Sequence, residues 1–191
     1  MVRATLQIVA ICLLVYVAQS AVALVDRTPR MAELFALSMP LGAQPWTVVT
    51  SVYAHTGPWH LLSNLAFFAL LGLAVERQTG AVSFHLFVLG TGAIANVSQA
   101  AFSNAVGGID AHVLGLSGAV FALAGYLVTG NRLSELLLDR FEIPRTVQFV
   151  IYATLAVVVT VATAEPGVAI VGHFVGLFLG LALGAAKALG Q

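Results

Sequence analysis

Val113-Leu114-Gly115-Leu116-Ser117-Gly118-Ala119-Val120-Phe121 opens an apolar run that continues to Thr129, with one serine set between glycines near its start. A hydroxyl in an apolar helix ordinarily bonds back to its own backbone and carries no chemistry. Gly115 and Gly118 clear the space around this one, which suggests that another group must approach the oxygen closely. What Ser117 does therefore depends on what the chain brings to the same depth.

The surroundings are lipid. Of the 191 residues 60% are hydrophobic and 8% charged, whereas a soluble domain carries about a quarter charged residues. Such a chain cannot cover its surface with polar groups, so it is expected to be an all-α, polytopic membrane protein. No internal repeat or break in composition divides it, and residues 1–191 are expected to form a single transmembrane domain. The formal net charge is zero with no basic stripe, so nucleic acid is not an expected partner. Cys12 is the only cysteine, which excludes an intrachain disulfide and a thiolate metal cluster.

Six spans are expected, near 5–25, 59–75, 83–102, 113–130, 146–163 and 167–188. Arg3 and Ala18-Gln19-Ser20-Ala21-Val22-Ala23 imitate a signal peptide, but the first apolar run is long enough to span and reads as a retained helix. The long segment after it mixes Met31, Leu34, Phe35, Trp46, Val52 and Tyr53 with Pro29, Pro40 and Pro45. That mixture predicts an ordered, interface-lying structure with short helices. Arg3, Arg77, Arg132, Arg140, Arg145 and Lys187 on one side, against Arg27 and Arg30 on the other, favour both termini inside. Only Ala164-Glu165-Pro166 joins the last two spans.

In that orientation the second, fourth and sixth spans all enter from outside. Each carries its polar residues early: His60 and Asn64, Ser117, and His173. At a rise of about 1.5 Å per residue they lie within roughly 10 Å of the outer helix ends, and polar groups in spans normally face a bundle interior or a water-filled cavity. His60 and Asn64 share a helix face. Gly172, Gly176, Gly180 and Gly184 form a narrow ridge that matches Gly118, Ala122, Gly125 and Thr129 on the fourth span. Packing those ridges would bring Ser117 and His173 together as nucleophile and general base, a dyad without a visible acid. Asp110 and Glu165 read as solvated loop charges. His60, Asn64 and the Ser117 backbone N–H can then donate to a developing oxyanion.

The pattern resembles the rhomboid intramembrane serine proteases. Gly115-Leu116-Ser117-Gly118 is similar to that family's GxSG motif, His60-Leu61-Leu62-Ser63-Asn64 to its HxxxN element and His173-Phe174-Val175-Gly176 to its HxxG element. His55 and Glu76-Arg77 add to the likeness, which covers essentially the whole chain and corresponds to the minimal six-helix form of prokaryotes. It implies an intramembrane endopeptidase in the cell membrane, its active site opening to the extracytoplasmic side. The expected substrates are transmembrane segments of other proteins, cleaved through an acyl-enzyme on Ser117 with His173 as base. No metal or organic cofactor is implied.

Gly115, Gly118, Phe121 and Gly176 would support the site. Phe121 stands where many relatives have a tyrosine against the catalytic histidine, and Thr47 follows Trp46 where the family often has arginine.

Other readings compete. A non-catalytic relative that binds membrane clients would typically lack the serine or the histidine, and both are present. A small transporter would more readily show broken helices in repeated halves, which are not evident. A haem bundle using His60, His85 and His173 conflicts with the position of His85 at the opposite side. His55 and His112 read as loop-edge residues. Asn96, Ser98 and Gln99 read either as cavity-lining residues or, preferentially, as bonds between helices.

Overall fold

The computed structural model describes residues 3–25, 29–107, 112–131, 136, 140–164 and 169–189. Among these the regular structure is helical: α1 (Ala4–Val25), α2 (Pro29–Phe35), α3 (Thr47–Tyr53), α4 (Pro58–Glu76), α5 (Ala81–Gly107), α6 (Ser117–Thr129), α7 (Arg145–Ala162) and α8 (Ile170–Ala185). Four of them, α1, α4, α5 and α7, are long and apolar enough to cross a membrane; α6 and α8 are shorter apolar helices of 13 and 16 residues. Asp110, Glu165, Arg27 and Arg132 lie outside the described residues.

The fourth span differs from expectation. A helix from Val113 is predicted, but α6 begins at Ser117 and residues 113–116 are not helical. Non-helical backbone at membrane depth must satisfy its polar groups within the protein. Here the first loop does so. Leu37 and Val113 exchange both backbone hydrogen bonds at 2.8 Å, and the Gly115 N–H donates to Ser51 O at 2.8 Å. Gly115 has φ +138°, a conformation that side chains rarely adopt. A Cβ there would also come within 3.0 Å of the His60 ring. The first loop is therefore more than an interfacial cover: Leu37, Val52 and His55 are buried in the bundle.

α6 packs most extensively against α8, and α5 lies against both. Hydrophobic burial adds little between helices in lipid, so close backbone approach carries the packing. A Cβ on Gly176 would run into the Gly118 backbone, one on Gly180 into Ala122, and one on Gly184 into Thr129 and the Tyr126 carbonyl. This is the ridge pairing expected from the four-residue spacing, with one correction: Gly172 faces Ala95 and Gln99 of α5. Thr129 strengthens the contact by donating to Leu181 O at 2.7 Å. On the other side of the bundle Phe68, Phe84, Ile8 and Leu123 form a core between α1, α4, α5 and α6. Glu76 closes the far end of that core, its carboxylate accepting the backbone N–H groups of Arg3, Ala4 and Thr5 at 2.6–3.0 Å.

Candidate active site

The break before α6 makes Ser117 the first residue of its helix, so its N–H is free of the helical ladder and sits at the positive end of the helix dipole. Across the glycine ridge, His173 occupies the first turn of α8. His173 Nε2 and Ser117 Oγ are 2.9 Å apart, within hydrogen-bond reach. Phe121, one turn after Ser117, stacks on the His173 ring with centroids 4.3 Å apart and planes at 23°. That ring contact restrains the imidazole on one face. Among the described residues no carboxylate hydrogen-bonds to it.

The other side of the site comes from α4. His60 approaches Gly115, whose missing side chain leaves room for the imidazole. Thr56 N–H points at His60 Nδ1 at 3.4 Å, and Thr56 Oγ1 lies 3.0 Å from the same nitrogen. A backbone N–H can only donate, so Nδ1 holds the lone pair and Nε2 carries the proton. Asn64 is buried, and its amide donates to His60 O at 2.8 Å, which anchors the side chain to its own helix. One amide hydrogen remains for another acceptor.

His60, Asn64, Ser117, Phe121 and His173 line a cavity of about 620 Å³, together with Phe67, Gln99, Ser103 and His112. The volume lies in the range of small-molecule and peptide side-chain pockets. Gly115 makes room for the His60 ring, Gly118 lies against Ala95 of α5, and Gly176 sets the distance between α6 and α8. His112, expected at a loop edge, is exposed and lines the mouth. His85 is half-buried and does not line the cavity, with its Nδ1 at Ala81 O. His55 is buried behind His60, their ring centroids 5.2 Å apart. It donates from Nδ1 to Tyr53 O, while its Nε2 has no partner. Burial first, then the nearby His60, push its pKa down to about 4, with the Tyr53 bond opposing. Among the described residues no group of three or more His, Cys, Asp or Glu could hold a metal ion.

Two contributors escape a reading by residue type. Thr56 orients His60, and its only signal is the four-residue spacing across Gly57-Pro58. Ser51 holds the loop before Ser117 through its carbonyl and accepts from Asn96 Nδ2 at 3.2 Å. No local pattern marks it. Asn96 and Gln99 do make bonds between elements, as expected. Trp46 anchors the first loop by donating from Nε1 to Glu33 O, and Thr47 turns the chain there with a 2.6 Å bond to Gln44 O.

A family model described as the rhomboid domain matches residues 42–189. Over 116 residues the chain is 30% identical to the rhomboid protease GlpG of Salmonella choleraesuis (strain SC-B67), a stretch that is 61% of this chain and 39% of the relative. The same figures hold for the rhomboid protease GlpG of Salmonella newport (strain SL254) and of Salmonella typhimurium (strain LT2). The match thus spans well under half the length of these curated relatives.

Proposed function

The chain belongs to the rhomboid family, and from that premise we propose that it is an intramembrane serine endopeptidase working through a Ser117–His173 dyad. The observation that carries the reading is the 2.9 Å contact between His173 Nε2 and Ser117 Oγ inside a cavity at the end of two glycine-packed helices. The integral, multi-pass character of the protein follows from its family and its apolar helices. The finer topology is part of the proposal: α1, α4, α5, α6, α7 and α8 as six membrane helices of one domain, with both termini inside and the cavity opening outside.

Ser117 Oγ attacks the scissile carbonyl carbon of a transmembrane segment while His173 Nε2 takes the hydroxyl proton. The carbonyl oxygen becomes an oxyanion facing the Ser117 N–H, the His60 Nε2–H and the Asn64 amide. Collapse of the tetrahedral intermediate breaks the C–N bond, and His173 returns the proton to the leaving amine. An acyl-enzyme on Ser117 remains. His173 then deprotonates a water molecule that attacks the ester, and Ser117 is restored. Phe121 holds the imidazole plane throughout, in place of the hydrogen-bonded acid of a triad.

The test is covalent labelling of purified protein with a fluorophosphonate, alongside cleavage of a reporter transmembrane substrate. Wild type should label and cleave; Ser117→Ala and His173→Ala should do neither while staying folded. Full cleavage by Ser117→Ala would sink the assignment.

A further inference from the structure

Among the described residues, the helix that carries His173 has no side-chain cap from its own segment. Ala169 stands at its N-cap with no side-chain hydrogen bond, although the first N–H groups of a helix need acceptors when water is scarce. The acceptor comes from α5. Gln99 Oε1 receives the N–H of Val171 at 3.0 Å and that of Gly172 at 3.2 Å, the two residues directly before His173. Gln99 Nε2 is itself steadied by donating to Ser103 Oγ one turn later at 3.1 Å. Gly172 permits the approach, since a Cβ there would already lie 3.3 Å from Ala95 O and 3.5 Å from the Gln99 Cβ.

Three residues earlier on the same face of α5, Asn96 grips the other half of the site. Its amide donates to Ser51 Oγ at 3.2 Å and lies 3.4 Å from Gly115 O, in the loop that leads into Ser117. One helix therefore touches both the segment before the nucleophile and the segment before the base. Neither Asn96 nor Gln99 bonds to Ser117 or His173 themselves.

We propose that Gln99 is a positioning residue: it caps α8 from a neighbouring helix and so holds His173 at reactive distance from Ser117, while Asn96 holds the nucleophile loop to the same helix. The inference rests on the dyad reading. The reasoning is geometric. α8 follows α7 closely in sequence, and its first turn is tied to α5 by these two bonds, whereas the glycine ridge holds the helix from Gly176 onward. Releasing the cap frees the turn that bears His173 without opening the ridge. A displacement of about 1 Å at a reacting group costs on the order of a hundredfold in rate.

The experiment compares Gln99→Leu, Gln99→Asn and Gln99→Glu with wild type in detergent, measuring the second-order rate of fluorophosphonate labelling, kcat and KM on a reporter transmembrane substrate, and the thermal midpoint. Leucine has similar bulk and no acceptor; asparagine keeps the amide but is too short to reach both N–H groups. Both should label between about ten and a hundred times more slowly, with kcat reduced and KM little changed. Glutamate keeps an acceptor at the same reach and should restore most of the rate. The Asn and Glu variants keep the comparison decisive if Leu fails to fold. Ser117→Ala separates the two levels. If it still cleaves, the dyad reading fails and this inference with it. If it is inert while Gln99→Leu or Gln99→Asn labels at the wild-type rate, the positioning role alone is overturned. A fall in thermal midpoint with an unchanged rate per folded molecule also overturns it, since that is the signature of a purely structural cap.

Discussion

Replacing Gly176 by alanine adds one methyl group where two helices meet backbone to backbone. The new Cβ would lie 2.9 Å from the Gly118 carbonyl carbon and 3.1 Å from its Cα, and closer still to its oxygen. Optimal carbon contacts are about 3.5–4.0 Å. Neither partner has a side chain that could rotate away, so α6 and α8 must separate by roughly 1 Å to restore contact distance. Overpacking of this kind destabilises by about 1–3 kcal/mol. The functional effect should be larger than the loss of folded protein explains. Gly118 follows Ser117 and Gly176 lies three residues after His173, so separation at this point stretches the 2.9 Å Nε2–Oγ contact directly. A misplacement of about 1 Å costs on the order of a hundredfold in rate. The assay is the labelling rate per folded molecule, with the thermal midpoint measured in the same detergent. Gly90→Ala is the control, because a Cβ at Gly90 meets nothing within 4 Å, and helical alanine gains roughly 0.5–1 kcal/mol over glycine. Wild-type labelling and an undiminished midpoint in Gly176→Ala would refute the claim that the glycine ridge sets the reactive distance.

Phe121→Ala removes the ring stacked on His173 and should slow labelling about tenfold, the rate equivalent of an aromatic pair worth roughly 0.5–1.5 kcal/mol; Phe121→Tyr should keep the wild-type rate, and equal rates for all three would exclude a supporting role. Glu76→Ala strips three backbone N–H groups at the start of α1 of their acceptor. It should cost about 1–2 kcal/mol in unfolding stability while leaving the labelling rate per folded molecule unchanged. His55 predicts an acid limit to stability. Its folded pKa is pushed down from 6.5 to about 4, so on acidification the unfolded chain binds the proton first. Stability from this residue is complete above about pH 6.5 and is lost as pH falls toward 4, by up to about 3 kcal/mol. Unfolding midpoints across that range should fall in wild type and flatten in His55→Gln; parallel curves would remove His55 as the cause.

The membrane class, the long apolar helices and the ridge between α6 and α8 were legible in the sequence because each is written in local composition or spacing. Too few charges to cover a surface imply lipid. Glycine every fourth residue implies one narrow helix face, and the ridge then brings Ser117 toward His173. Phe121 on the imidazole was legible only through the resemblance to the rhomboid family, in which a tyrosine often stands at that position.

Other features could be decided only by the tertiary structure. Residues 113–116 have the composition of a helix, yet they stay non-helical because Leu37 and Ser51, more than sixty residues earlier, offer backbone partners and Gly115 takes a conformation open mainly to glycine. The pointing of Gly172 toward α5 depends on where α5 lies. The proton on His60 Nε2 follows from a threonine outside its helix, and the cap on α8 follows from a glutamine 72 residues before Val171. Hydrogen bonds between distant segments leave no period in the chain that makes them. The sequence alone determined which helices could carry reactive groups to one depth. The packed structure decided which loop presents the serine, and what holds the histidine in front of it.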